Sequence, residues 1–272
     1  MAQLVLSSGP PDGRYVINFW RPPAAKVTLV SRTIGASDAS LDRVVAQVVS
    51  MYSGQTLDQA PTDEEASKML HELDNTALKT PLEMLNFTFL IEGVTRAFTH
   101  QLVRHRIGAS YVQQSLRFLG AKDTYNVLLP KGIVGERDVR MFAEVAGFSI
   151  QTYDNWVRNE NMASQDARAI LPIHIMTNIF VSFSFTTLMS YYRQRMCCQA
   201  QLGEHQTVLI QMQRIINNIS PRIADFLSAP WQKGKSCGYG ASFDRPCTWI
   251  GKKWQDLEKE YTDELGPRAQ SL

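Results

Sequence analysis

Two spacings of apolar residues alternate along this chain, and they divide it into helices and strands. Behind Ser40, apolar side chains recur at Leu41, Val44, Val45, Val48, Val49 and Tyr52. Steps of three and four residues behind a serine describe a helical stripe with an N-cap. Thr62-Asp63-Glu64-Glu65 is a capping box, and Met69, Leu70 and Leu73 continue its helix. The period then shortens. Leu85, Phe87, Phe89 and Ile91 alternate with more polar neighbours between residues 81 and 91, which predicts a strand ended by Gly93. A helix is expected over 97–103, an irregular Gly- and Ser-punctuated stretch over 107–120, and a long helix over 136–160. Val139, Phe142, Val145 and Ala146 share one face of that long helix.

A short helix over 163–170 is stopped by Pro172. Ile173, Ile175, Thr177, Ile179, Val181 and Phe183 alternate as a second long strand, with His174 facing opposite Ile173 and Ile175. Helices are predicted over 186–198 and 204–218, and a turn over 221–227. Residues 9–35, rich in Gly, Pro and β-branched types, read as loops with short strands. Beyond Ala229 the composition shifts to Gly, Lys, Ser and Trp, and reads as a surface tail anchored by Trp231, Trp249 and Trp254. The pattern as a whole predicts an α+β class, one domain over 1–272, with helices packed on a mixed or antiparallel sheet. His71 and His205 are expected on helix surfaces, His100 on the helix at 97–103. The Met and aromatic residues between 176 and 192 are expected in the core and at a subunit interface.

Composition narrows the function. The 272 residues carry 28 Lys and Arg against 26 Asp and Glu, a net charge of +2. A nearly neutral chain does not hold nucleic acid by a broad basic surface, so any phosphate is met by a few placed arginines. No stretch matches a membrane span, and the first residues lack the basic start and apolar run of a signal peptide, so a cytoplasmic location is expected. Cys197, Cys198, Cys237 and Cys247 form no C-x-x-C pair, and the five histidines show no ligand spacing; free thiols and no metal are expected.

Several familiar patterns fail. Gly234-Lys235-Ser236 has Ala229 where a phosphate loop needs glycine. Gly238-Tyr239-Gly240 lacks a third glycine and a βαβ setting. Arg245-Pro246-Cys247-Thr248-Trp249 offers a Pro-Cys nucleophile, but its surroundings do not match the classical thymidylate synthases that use one.

The densest chemistry lies between Gln101 and Arg117: three arginines, one histidine, three glutamines and two serines in 17 positions, with no acidic residue. A solvated polar loop is the plain reading. The missing counter-charge and the wealth of neutral, directional hydrogen-bonding groups favour a binding segment. In an extended stretch Arg104 and Arg106 point to one side and His105 to the other, so one segment serves two ligands. Ser115 and Arg117 share a face, and a hydroxyl beside a guanidinium suits a phosphate or a pyrimidine carbonyl.

This segment resembles the signature of the flavin-dependent thymidylate synthases: Arg-His-Arg, seven or eight residues, then Ser. Here Arg104-His105-Arg106 is followed by eight residues and Ser115. Thr80-Pro81-Leu82-Glu83 resembles the family's Thr-Pro-x-Glu, Ala167-Arg168-Ala169-Ile170-Leu171-Pro172 its Ala-Arg-x-x-Leu-Pro, and residues 188–201 its late helix, with Ala200-Gln201 at its Ala-Gln. The resemblance covers roughly residues 75–225, within a family core of about 60–228, leaving 229–272 as a C-terminal extension.

The resemblance implies C5 methylation of dUMP, with methylenetetrahydrofolate giving the carbon, reduced FAD the hydride, and NADPH reducing the flavin. It implies a homotetramer with FAD between subunits. Thr80, Glu83, Arg104, His105, Arg106, Ile107, Gln113 and Ser190 would hold FAD. Gln101, Gln114, Ser115, Leu116, Arg117 and Gln194 would hold the nucleotide, with Arg168 reaching in from a neighbouring subunit. Arg195 would be catalytic, meeting the uracil edge. No membrane or nucleic-acid partner is implied.

The chain departs from the family at Leu78, Val112, Gln113, Phe118, Ser184, Thr186 and Gln199. Those positions mostly touch flavin or shape the pocket. The departures resemble a branch of UMP/dUMP methylases of nucleoside-antibiotic biosynthesis, so UMP stands beside dUMP as substrate. Two further readings follow: a nucleotide-binding protein of the same fold that has lost catalysis, and a folate enzyme using Cys247.

Overall fold

The computed structural model describes residues 3–36, 39–54, 60–118, 122–198, 203–235 and 247–262. Among the described residues, seven strands form two sheets. The larger joins β3 (Lys26–Arg32), β4 (Asn86–Thr95), β7 (Met176–Ser184) and β5 (Ala109–Gln113) in the order β3-β4-β7-β5, every pair antiparallel. The smaller joins β1 (Gln3–Ser8), β2 (Val16–Arg21) and β6 (Thr124–Leu128), antiparallel between β1 and β2 and parallel between β2 and β6. This is the mixed α+β arrangement that the alternating periods predict.

The central pair β4 and β7 shows why. Phe87 pairs with Phe183, Phe89 with Val181 and Ile91 with Ile179, and all six are buried. Strict alternation puts these side chains on one face. Each buried aromatic or branched residue contributes roughly 1.5–3 kcal/mol of apolar transfer. Onto that face pack α1 (Leu41–Tyr52), α2 (Asp63–Asp74), α6 (Phe185–Arg195) and α7 (Glu204–Ile219). The caps are as the sequence reads: Ser40 Oγ accepts the Arg43 N–H, and Thr62 and Glu65 form the reciprocal capping box. The small sheet has its own core, where Ile17, Phe19, Tyr125 and Val127 meet Val139, Ala143, Ala146 and Ile150 of α4 (Glu136–Arg158).

The structure corrects several expectations. Gly93 does not end β4; the strand continues to Thr95 through a register shift, with Gly93 at φ 72°. A Cβ there would lie 2.9 Å from the Ala24 carbonyl, so glycine lets the two backbones touch. Residues 109–113 are not irregular but form the edge strand β5. His174 lies in the turn before β7, its Nδ1 2.9 Å from the Leu128 carbonyl, and Ile173 is exposed while Ile175 is buried. His205 is fully buried in α7 rather than on its surface. In the segment after Ala229 the described residues are packed more deeply than a surface tail, and two of the expected anchors are core residues. Trp231 and Trp249 are buried in the main core with Leu257 and Tyr261 of the last helix, α9 (Trp254–Thr262), which follows α8 (Pro221–Asp225). The expectation for the Trp254 side chain, and those at Gln199, Ala200-Gln201, Ser236, Cys237, Gly238-Tyr239-Gly240 and Arg245-Pro246, lie outside the described residues.

Candidate active site

The site is assembled at the end of β4. Thr95 caps α3 (Arg96–Leu102), and its backbone N–H and hydroxyl are both held by the buried Glu204 carboxylate at 2.7 and 2.9 Å. That anchor fixes where α3 starts and therefore where its last residues deliver the signature. The chain leaves α3 in a turn over 103–108 and enters β5.

The turn is locked from behind. The Tyr111 hydroxyl lies 2.7 Å from the His105 carbonyl and 3.0 Å from that of Leu102. Burial pushes the Tyr111 pKa up to about 12, so it stays a donor. The Thr187 hydroxyl donates to the Ile107 carbonyl, and the Ser184 N–H donates to the Gly108 carbonyl at 2.7 Å. Gly108 has φ 68°, and a Cβ on it would sit 2.4 Å from Ser184 Oγ and 2.5 Å from Thr187 Oγ1. Only glycine fits that clasp. Ser184 and Thr186, two of the departures from the family pattern, therefore sit at the start of α6 where it grips the signature, Ser184 as its N-cap.

The turn then has two faces. Arg104, Arg106 and Ile107 project outward; Ile107 is 90% exposed, and no hydrogen bond or ion pair engages either arginine side chain among the described residues. His105 turns inward against the Tyr191 ring, centroids 4.9 Å apart. The alternation predicted for an extended stretch holds, although a turn produces it. Burial first, and the Arg195 charge second, hold His105 down to a pKa of about 4, so it is neutral near pH 7. Behind it, the Tyr191 hydroxyl is hydrogen-bonded to His205 Nδ1 at 2.8 Å.

Arg195 ends α6 beside this group. Its Nη1 donates to Gln101 Oε1 at 2.9 Å, and its Nε is buried with no hydrogen-bond partner. The expected nucleotide residue and the expected catalytic residue are thus in contact. Arg168 lines a pocket with Arg96, Thr99, His100, Gln113 and Leu116. The Gln113 amide donates to Thr99 Oγ1 at 2.7 Å. Arg117 Nη1 donates to Gln165 Oε1 at 3.2 Å, Arg168 Nε donates to the Gln165 carbonyl at 3.0 Å, and the Arg117 N–H donates to Ser115 Oγ. Ser115 Oγ is met by the Arg117 backbone N–H and not by its guanidinium, which turns to Gln165, and Gln165 links Arg117 to Arg168 within one chain.

Other expected residues stay outside this assembly. Thr80 and Glu83 are exposed on the short turn Thr80–Met84, with no hydrogen bond to the signature among the described residues. Gln194 and Ser190 bond each other on the exposed face of α6 at 3.1 Å, and the Gln114 side chain is exposed. Leu78 and Val112 are exposed apolar residues. Cys247 does not line the pocket at Arg168; its Sγ is 3.9 Å from Cys198 Sγ, and burial raises its pKa, the wrong direction for a nucleophile. No disulfide joins the described cysteines. Sequence reasoning missed Tyr111, Thr187, Glu204 and Arg96; none belongs to a charged cluster that would mark it.

The donor set fits a flavin dinucleotide. Two outward guanidinium groups suit a diphosphate, and an exposed Ile107 on a backbone that cannot retreat suits a flat apolar ring. Among the described residues no three His, Cys, Asp or Glu are placed to hold a metal, and no helix is long and apolar enough to cross a membrane.

Fold and site together define an α+β protein that presents exposed arginines on a braced turn. A family model described as "Thymidylate synthase complementing protein" matches residues 28–222, most of the chain. A protein of Clostridium tetani named "Flavin-dependent thymidylate synthase" is 31% identical over 220 residues, covering 74% of this chain and 87% of that protein. Proteins of the same name from Geobacter sulfurreducens and Nitratidesulfovibrio vulgaris are 29% identical over 188 residues and 31% over 171, covering 80% and 69% of their own lengths. The chain belongs to this family, the one its signature resembles. The family match begins inside β3, well before residue 60.

Proposed function

We propose that this chain catalyses flavin-dependent C5 methylation of a uridine monophosphate, with methylenetetrahydrofolate as carbon donor and NADPH as reductant. The observation that carries the reading is the two-faced signature turn: outward arginines for one ligand, and Gln101-bound Arg195 for another. Bound FAD would supply the hydride chemistry that no side chain offers. Arg104, Arg106 and Ile107 would hold it. The Arg195 guanidinium, with its Nε buried, would stabilise negative charge developing on the uracil ring. Neutral His105 fixes the turn without adding a competing charge beside Arg195.

The family name points to dUMP, and UMP is accepted in the same reading through the departures at Leu78, Val112, Ser184 and Thr186. The rest of the reading is one domain, a homotetramer and a cytoplasmic setting. The test is a visible spectrum of the purified protein before and after FAD, followed by assays of dUMP and UMP side by side with methylenetetrahydrofolate and NADPH. Bound flavin and turnover of dUMP are expected. Turnover of UMP comparable to dUMP would favour the antibiotic branch. No flavin binding would sink the proposal.

A further inference from the structure

The end of α6, where Arg195 stands, is held by parts of the chain that follow it. The Gln206 amide donates to the Arg195 and Cys197 carbonyls at 3.3 and 3.2 Å, and the Trp231 indole N–H donates to the Met196 carbonyl at 2.9 Å. Trp231 meets Trp249 edge to face, ring centroids 5.6 Å apart, and Trp249 meets Tyr261 of α9. One contact in this seam is between sulfurs. Cys198 Sγ lies 3.9 Å from Cys247 Sγ, 49 residues further along the chain. Both are half-buried thiols. Neither is inside a helix or strand: Cys198 lies in the turn that leaves α6, and Cys247 just before the turn over 248–251. Burial raises the Cys247 pKa, and hydrogen bonds from the Trp249 and Ile250 backbone oppose that rise. Packing as small apolar groups would explain why the two side chains are partly buried. It does not explain why sulfur faces sulfur across a seam that joins two distant parts of the chain.

We propose that Cys198 and Cys247 are a modification site: a low-molecular-weight disulfide, such as glutathione disulfide, converts them into an intrachain bridge that staples the C-terminal segment to the end of α6. The step balances as thiol–disulfide exchange. One cysteine loses its proton, and its thiolate attacks a sulfur of the oxidant. That breaks the oxidant's S–S bond and expels one thiolate, which takes up a proton. The other cysteine, deprotonated in turn, attacks the protein sulfur of this mixed disulfide and expels the second thiol. One S–S bond breaks and one forms, and two electrons pass from the cysteine pair to the oxidant, which leaves as two thiols. The order of the two attacks does not change the product. A disulfide is about 2.0 Å long, so the sulfurs have to close by roughly 2 Å. Rotation of two side chains on non-helical residues supplies that movement. In a reducing compartment the pair rests as thiols, and the bridge forms when the oxidant rises. The proposal is independent of which nucleotide the site takes.

Thiol titration of the full chain, denatured after treatment, counts the step. The chain has four cysteines, so four thiols are expected after reductant and two after glutathione disulfide, with the chain still a single band at its own mass on a non-reducing gel. The bridged protein should melt roughly 5–10 °C above the reduced one, because the bridge closes a long loop in the unfolded chain, and dithiothreitol should reverse the shift. Cys198→Ser and Cys247→Ser should each abolish the shift, whereas Cys237→Ser should keep it. Fragment-ion mapping of the bridged wild type should place the bond between Cys198 and Cys247, and that measurement stands even where a variant fails to fold. Four thiols remaining after the oxidant, or a bridge that includes Cys237 or a second chain, overturns the proposal.

Discussion

The two faces of the turn over residues 103–108 are made of neighbouring residues and obey opposite rules. On the inner face the backbone carbonyls are spoken for: Tyr111 holds those of Leu102 and His105, Thr187 that of Ile107, and the Ser184 N–H that of Gly108, while His105 packs on Tyr191 with its Nε2 buried and without a hydrogen-bond partner. On the outer face Arg104, Arg106 and Ile107 meet only solvent among the described residues. The difference teaches what rigidity is for. Long side chains lose rotamer freedom when they bind, and a backbone that is already fixed adds nothing to that cost. The inner face is a scaffold, and the outer face is a ligand surface.

The substitution that breaks both faces at once has the largest expected effect. Gly108→Ala places a Cβ 2.4 Å from Ser184 Oγ at a φ of 68°. A left-handed alanine plus a clash should cost about 2–4 kcal/mol and displace the arginines. Denaturant midpoints and flavin retention measure the two losses; a variant with wild-type values for both would mean that the clasp is not a constraint. Next come substitutions that separate the faces. Arg195→Ala should lower turnover about 10²- to 10³-fold while flavin stays bound, and Arg106→Ala should lose flavin. The reverse pattern would mean that the roles of the two faces are exchanged.

Much of this was legible in the residues. The periods of β4, β7, α1 and α7 are set by burial, and burial leaves a clear mark when one face is apolar. Edge strand β5 left none: Ala109-Ser110-Tyr111-Val112-Gln113 pairs on one side only, and its Val112 is exposed. Gly93 reads as a terminator because a bulge and a stop use the same residue. The burial of Trp231 and Trp249 depends on elements distant in sequence, so local composition suggests a tail. At the site, the arginines announce themselves by charge without counter-charge. The inner face does not, because Tyr111, Ser184 and Thr187 act through backbone carbonyls that no motif spells out. Arg96 escaped notice for a related reason: its partner is the Gln114 carbonyl, and its neighbour Arg168 is far along the chain.

Acid tests the inner face more gently. His105 and His205 are held below the ordinary 6.5, by burial first and then by the Arg195 charge. The unfolded chain takes up protons below about pH 6.5 that the folded chain refuses. Stability is therefore full above that pH and declines as pH falls toward about 4, by up to roughly 1.4 kcal/mol per unit for His205. Denaturant midpoints at pH 7.5 and 5.5 check the sign; a midpoint that rises on acidification contradicts it.

The smallest change isolates the clasp itself. Ser184→Ala removes the N-cap of α6, whose Oγ accepts the Thr187 N–H and lies 2.9 Å from Thr187 Oγ1, and should cost about 1 kcal/mol. It also removes the atom nearest to a Cβ at residue 108. Added to Gly108→Ala, it should therefore cost less than its single effect, because Ser184 Cβ lies 3.3 Å from that Cβ instead of 2.4 Å for Oγ. Thr187 Oγ1 and the positive φ remain, so rescue is partial. Strict additivity in the double-mutant cycle would show that Gly108 is required for its backbone angle alone, and that the inner face is shaped by φ rather than by the grip of Ser184.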